Sequence, residues 1–334
     1  MENYIQRIIK AYIENINDWE ASHKDASSMW TFWIEPKYES VIQDIMTRNE
    51  EKVSYHLQNP RTNFLTFGFD NLFLDRVEDS RESLPFFFNL CRAIGLLRVP
   101  WPENPTYATI LQQQETNASV EELLLQLDDY FGFKIDFPNI FKDEFGFPTS
   151  RGLMNIRSAH SLYFVHRIKT ILGETLKGAK ILEIGGGMCR NVYYLKKMGV
   201  DTVTVIDIPI PLFVSSYWLG NTVGNESMCL YKEAPLEQSK IFMLPPHRYQ
   251  PLGTNAKYDL IVQFDGLTEM GRSNAQSYID KFPDIGNRFF SINHDDNPYT
   301  VRDLYKANPR VQLLERFPSW YRPGYIEELL LAKN

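Results

Sequence analysis

Three short stretches of this 334-residue chain hold residue types whose spacing could do chemistry. The first is KILEIGGGMCR, 180–190, where Glu183 precedes Gly185, Gly186 and Gly187. About twenty residues past the glycines, TVTVIDIP (202–209) runs into Asp207 and Ile208. The second is FDGLTEM, 264–270, with Asp265 and Glu269, and the third is INHDD, 292–296, with His294, Asp295 and Asp296. Glycines after a buried strand let the backbone turn sharply and approach a ligand. The helix that follows can hold a carboxylate at its N-terminus.

An acid that follows such glycines by about twenty residues can hydrogen-bond ribose hydroxyls, which is the role expected of Asp207. Ile208 would pack on an adenine face, and Glu183 would accept a bond from a ligand ammonium group, directly or through water. The pattern E-x-G-x-G-x-C, with no P-loop lysine, points to S-adenosylmethionine (product S-adenosylhomocysteine) before any phosphate-bearing cofactor. NAD is the runner-up, because Gly185, Gly187 and Arg190 spell G-x-G-x-x-R. The third position wants a small residue so that helix can pack on strand, and Glu183 would face the pyrophosphate.

A methyl transfer to oxygen needs a base for the hydroxyl proton, commonly a histidine or carboxylate. His294 is the first candidate and Glu269 the second. Asp265 stands at a strand's carboxyl end, beside both the cofactor and the reacting groups. The plain alternatives are a surface histidine and an Asx turn before Gly266. Asp295 and Asp296 would suit magnesium, but paired loop aspartates are ordinarily just solvated, so no metal ligands are assigned.

These residues need strand ends to hold them. From 151 the chain alternates strands and helices, which implies a parallel sheet. The spacing predicts a helix ending at Gly173, strands at 180–186, 202–208, 259–265 and 288–293, and helices at 189–199, about 210–222 and around 275–284. Either LYKEAP (230–235) or FMLPPHR (242–248) could end the third strand. RVQLLERF (310–317) and YIEELLLA (325–332) flank a short Pro/Gly turn, so they pair antiparallel, since a parallel return needs a long crossover. Residues 1–150 read as mainly helical. Ile5, Ile8, Ile9, Tyr12, Ile13 and Ile16 recur at helical spacing, and Ser119 with Glu122 forms a capping box. The loop FGFPTSRG, 145–152, marks the boundary between 1–150 and 151–334.

A net charge of −7 leaves no basic excess for nonspecific nucleic-acid binding. No apolar run approaches a membrane span, and the N-terminus lacks a signal-peptide pattern. Cys91, Cys189 and Cys229 are scattered, as in a reduced cytoplasmic protein. The 14% aromatic content suits a packed core, or a pocket that stacks aromatics on a sugar or a flat ligand, with Trp30, Trp33, Tyr38 and Trp101 as candidates.

EIGGG, IDIP, SYWLGNTVG (216–224), DGLTEM, FFSINHDD and FPSWYRPGYIEELL (317–330), in that order, resemble the bacterial sugar O-methyltransferase family. The resemblance covers roughly 150–330, with a fainter echo at NFLTFGFDN, 63–71. It implies an α/β fold with a Rossmann-like class I methyltransferase sheet, mostly parallel and closed by a C-terminal antiparallel hairpin. A mainly helical cap or substrate region, 1–150, would precede the methyltransferase domain, 151–334. It implies cofactor roles for Glu183, Gly185, Gly186, Gly187 and Asp207, and matches Glu269–Met270 and Asn293 to family positions. The activity implied is methyl transfer to a hydroxyl of a nucleotide sugar, glycan or glycosylated metabolite, as in surface-polysaccharide synthesis. Transfer to nitrogen or carbon of a small natural product, or cofactor binding without turnover, stays open, as does a homo-oligomer. Two departures touch the crevice. Asp265-Gly266 replaces Asn-Ser, and Cys189 stands where a third spaced glycine is expected. A cysteine favours φ below zero, so the turn there is expected to differ.

Overall fold

The computed structural model describes residues 3–22, 38–70, 81–99, 103, 106–253 and 257–333. Trp30, Trp33 and Trp101 fall outside these residues. An eight-stranded sheet organises the second half. Its strands are β3 (Lys180–Ile184), β4 (Thr202–Ile206), β5 (Met228–Cys229), β6 (Ile241–Leu244), β7 (Leu260–Phe264), β8 (Arg288–His294), β9 (Val311–Pro318) and β10 (Tyr325–Ala332). A two-stranded hairpin, β1 (Phe147–Thr149) with β2 (Gly152–Met154), precedes it.

The order across the large sheet is β5-β6-β4-β3-β7-β8-β10-β9. The first six run parallel, and β10 pairs antiparallel with both β8 and β9. The chain leaves β3 toward β4 and β6 on one side and returns to β7 and β8 on the other. That reversal opens a crevice beyond the carboxyl ends of β3 and β7, where ligands of open α/β sheets bind. The centre of the sheet is apolar on both faces (Ile181, Leu182, Val203, Val205, Ile261 and Val262 are buried), as strands covered on both sides must be.

Helices α7 (Ile156–Leu172), α8 (Arg190–Lys197), α9 (Pro209–Leu219), α10 (Arg272–Ile285) and α11 (Val301–Tyr305) cover the sheet. The N-terminal helices α1 (Tyr4–Ser22), α2 (Glu39–Met46), α3 (Glu50–Gln58), α4 (Leu84–Ile94), α5 (Tyr107–Asn117) and α6 (Val120–Phe131) form a further layer. In it α1 packs on α9 and α4 on α7. One apolar core runs through both parts and joins Ile8, Val41, Phe87 and Leu127 to Ile181 and Val203. Asn155 caps α7 by accepting the Ser158 N–H at 2.8 Å, which sets the start of the helix whose face lines the crevice. No helix among the described residues is long and apolar enough to cross a membrane.

Several local readings need correction. β3 and β4 end two residues earlier than their patterns suggest, so the first glycines and Asp207 lie beyond the ladder. FMLPPHR, and not LYKEAP, carries the third strand, β6. FGFPTSRG contributes to the β1–β2 hairpin instead of forming a plain loop. The expected cap is present: Ser119 accepts the Glu122 N–H at 3.3 Å at the start of α6. Tyr38 is buried and donates to the Phe67 carbonyl, so it is a core residue and not a ligand platform.

Candidate active site

A cleft of about 540 Å³ opens over the carboxyl ends of β3, β4 and β7. Its walls include Glu183, Gly185, Gly186, Gly187, Asp207 and Ile208 at one end, and Asp265, Glu269, Arg157, His160, Arg322 and Tyr325 at the other. The cofactor positions expected from sequence therefore share one cavity.

In the glycine loop, Gly185 and Gly187 have φ of +72° and +54°. A Cβ on Gly186 would lie 2.8 Å from Val205 Cγ1 and 3.0 Å from Cys189 Sγ, so there is no room for a side chain. Cys189 itself has φ +60° at the N-cap of α8. The expected change of turn is thus absent: the cysteine adopts the left-handed conformation a glycine would take. Its side chain is buried, and packing holds it against a local strain of about 1–2 kcal/mol.

Glu183 is buried, and its Oε1 accepts from Asn191 Nδ2 at 2.6 Å. Its Oε2 has no hydrogen-bond partner among the described residues. Burial, reinforced by the charge of Asp207, pushes its carboxyl up to about 8. Asp207 Oδ2 accepts the Gly187 N–H at 2.8 Å and Oδ1 the Ile208 N–H at 2.7 Å, which locks the loop to the end of β4. Burial raises Asp207 to about 7, against the pull of those two N–H groups. Two acids facing one cleft favour a cation in it and oppose a pyrophosphate.

A loop from the N-terminal layer closes this end. Gly68, Phe69 and Asp70 line the cleft, and Phe69 Cβ sits 3.5 Å from where a Gly187 Cβ would be. Asp70 Oδ2 accepts from Arg190 Nε at 3.1 Å in a buried ion pair. The stretch NFLTFGFDN thus supplies Asp70 to this contact. Arg190, the misfit of the dinucleotide pattern, also lies over the Trp218 ring at 5.2 Å.

At the other end Asp265, with φ +66°, turns its carboxylate toward two arginines. Oδ2 accepts from Arg322 Nη1 at 2.7 Å and lies 3.7 Å from Arg157 Nη1. Arg322 stacks on the Tyr325 ring at 3.7 Å. Glu269 is raised to about 7, first by burial and then by Asp265, while Arg157 and Arg322 oppose the rise. His294, expected just past a strand, is the last residue of β8 and does not line the cleft. It stands behind Glu269, with Nε2 3.8 Å from Oε1, and lies edge-on to Tyr325.

Asp295 and Asp296 also miss the cleft: both are exposed, and Asp295 accepts from Arg316 at 2.6 Å. Among the described residues, the ligand atoms that could meet a cation are instead those of Asp265, Glu269 and His294, all within 4.8 Å of one another. The two guanidinium groups on Asp265 work against such an ion. Asn293 is structural: it receives the Leu267 N–H and donates to Gln263 Oε1.

Sequence reasoning missed Arg157, His160, Arg322 and Tyr325. Arg322 and Tyr325 lie in the RPGY turn, 322–325, where an arginine next to a strand end was the available signal. Arg157, His160, Ser161 and Phe164 recur at helical spacing along α7, but nothing local marks that face as cleft-lining.

No family model and no curated protein matches the chain. Among solved structures it is similar to a magnesium protoporphyrin IX methyltransferase from Synechocystis PCC 6803 with bound SAM, at 12% identity and TM-score 0.38, over 55% of this chain and 86% of that one. It is likewise similar to a ribosomal protein L11 methylase from Lactobacillus delbrueckii subsp. bulgaricus, at 14% identity and TM-score 0.38, over 60% and 91%. A third is a protein of the NADB-Rossmann superfamily from Streptococcus agalactiae, at 15% identity and TM-score 0.37, over 50% and 67%. The strand order and the antiparallel closing hairpin carry the fold assignment: a Rossmann-like α/β sheet, mostly parallel, with a helical N-terminal layer.

Proposed function

We propose that the protein is an S-adenosylmethionine-dependent methyltransferase acting on a sugar hydroxyl. The observation that carries this reading is one cleft with an acidic glycine-loop end and a charge-balanced far end. The partnerless Glu183 Oε2 beside the glycine loop fits a ligand ammonium group, and Asp207 retains lone pairs for ribose hydroxyls. When bound, S-adenosylmethionine supplies an electrophilic methyl on a sulfonium centre.

At the far end, Asp265 and Glu269 balance Arg157 and Arg322, which suits a neutral acceptor with several hydroxyls. Tyr325 and Phe164 add aromatic surface for a sugar face. Glu269, on the cleft wall, would accept the proton of the hydroxyl that receives the methyl group. A base near 7 is well matched to neutral pH. His294 lies where it can polarise Glu269 or pass the proton on, and Asp265, held by Arg322, orients a neighbouring hydroxyl. Residues 1–150 act as the cover of this site and 151–334 as the transfer unit. Gly68–Asp70 on the cleft wall support that division.

Calorimetric titration of S-adenosylhomocysteine into wild type and Asp207→Ala tests the cofactor, with NADH as control. The expected result is binding by wild type that weakens roughly tenfold or more in the variant, as loss of a charged hydrogen-bond acceptor implies, and no NADH signal. Wild type that ignores S-adenosylhomocysteine ends the proposal.

A further inference from the structure

His160 is the most unusual polar group of the cleft. It is 4% exposed, yet it lines the cavity, and neither ring nitrogen has a hydrogen-bond partner among the described residues. A buried polar group without a partner is costly, and native proteins rarely keep one without a use. Its ring is held by aromatic neighbours. Phe86 of α4 meets it edge-on at 4.6 Å, with Tyr321 at 5.9 Å and Phe164 at 6.3 Å. These contacts fix the imidazole plane and offer it no hydrogen bond.

One turn earlier on the same face of α7, Arg157 Nε is also buried without a hydrogen-bond partner among the described residues. Both residues share the cavity with Arg322, Asp265 and Glu269, so the orphaned nitrogens sit at the acceptor end and not at the glycine loop. The charges around the ring set its form. Burial, and then the Arg322 and Arg157 guanidinium groups, hold the imidazole well below its usual value. A neutral imidazole presents one N–H donor and one lone-pair acceptor. A hydroxyl group can serve both, and two adjacent hydroxyls can take one each.

We infer that His160, with Arg157 beside it, is an acceptor-recognition residue that hydrogen-bonds a hydroxyl of the methyl acceptor other than the one methylated. The inference rests on the methyl-transfer reading above, although it does not depend on the acceptor being a sugar. It also gives the N-terminal layer a part in specificity, because Phe86 sets the plane of the ring.

The test compares wild type, His160→Phe and His160→Gln. Tritiated methyl transfer is measured on methyl glycosides of several configurations, with catechol and simple primary amines in parallel. The class that wild type methylates then serves for all three proteins. In His160→Phe the acceptor KM should rise roughly ten- to a hundredfold, the weight of one buried hydrogen bond left unmade, with a smaller change in kcat. The amide of His160→Gln keeps a donor and an acceptor and should recover most of the loss. S-adenosylhomocysteine affinity, read calorimetrically, should stay within about twofold of wild type in both variants, because the glycine loop is untouched.

Thermal unfolding without ligand separates a structural role. Phenylalanine fills the aromatic box and removes a partnerless polar group, so His160→Phe should melt no lower than wild type. A lower melting temperature, or an unchanged acceptor KM in His160→Phe, overturns the inference. Methylation of catechol in place of the glycosides would sink the sugar reading alone and leave His160 tested on its second hydroxyl, whereas methylation of simple amines alone would overturn both.

Discussion

Glu269→Gln should remove activity and raise stability in the same molecule, with both effects depending on pH. Burial and Asp265 lift the folded-state value of Glu269 from 4.5 to about 7. An acid raised on folding binds its proton more tightly in the folded state. Its contribution to stability is therefore fully present below 4.5 and is lost as pH climbs through 7. At pH 8 the half-buried carboxylate costs about 3 kcal/mol relative to its unfolded value, and glutamine carries no such cost. For a chain of this length that is about 4 °C in melting temperature. The variant should match wild type at pH 4 and pull ahead progressively toward pH 8, as read by calorimetric or fluorescence unfolding. In the transfer assay, wild-type kcat/KM should rise with pH and level off above about 7, as the base becomes available. Glu269→Gln should lose roughly 10²- to 10⁴-fold and with it that rise. A melting difference that is flat between pH 4 and 8 refutes the burial argument. Retained turnover in the variant refutes the base assignment even if the stability result holds.

Other outcomes follow from the same geometry. Cys189→Gly should melt within about 1 kcal/mol of wild type, because relief of the left-handed strain offsets the lost thiol packing. Cys189→Val, β-branched at positive φ, should lose more than about 2 kcal/mol, and equal melting of the two variants would contradict the observed turn. Gly186→Ala should lose about 1–3 kcal/mol from its clash with Val205 and Cys189, and should weaken S-adenosylhomocysteine in a calorimetric titration. Asp70→Ala leaves the Arg190 charge buried without its ion-pair partner, so denaturant unfolding should report a loss of about 3–5 kcal/mol. A loss under 1 kcal/mol would show that the ion pair between the N-terminal loop and α8 does not hold the cleft cover in place.

Much of the site was legible because its signals are local. A buried parallel strand must be apolar on both faces, so acids and glycines at its end stand out against it. Glu183, Gly185–Gly187, Asp207, Asp265 and Glu269 were found that way, and all line one cavity. The closing hairpin was legible for a similar reason, since a short turn between two strands leaves only antiparallel pairing. Cys189 was misjudged because backbone preference there is worth about 1–2 kcal/mol, which a packed core readily outweighs.

Other features depended on contacts between residues far apart in sequence. Nothing in the α7 sequence says which of its faces meets the crevice; α4 on one side and the sheet on the other decide it. Arg322 comes to Asp265 from 57 positions away, and Asp70 to Arg190 from 120. His294 looked like the base from its place after a strand, until the fold put Glu269 between it and the cleft. The sequence by itself determined which strand ends carry acids and glycines, because a two-residue strand period and the intolerance of a buried strand for charge are local properties. Which side chains face those acids across the cleft, and therefore which carboxyl is raised toward neutral pH, was decided only by tertiary packing, since burial and charge proximity exist only once distant segments meet.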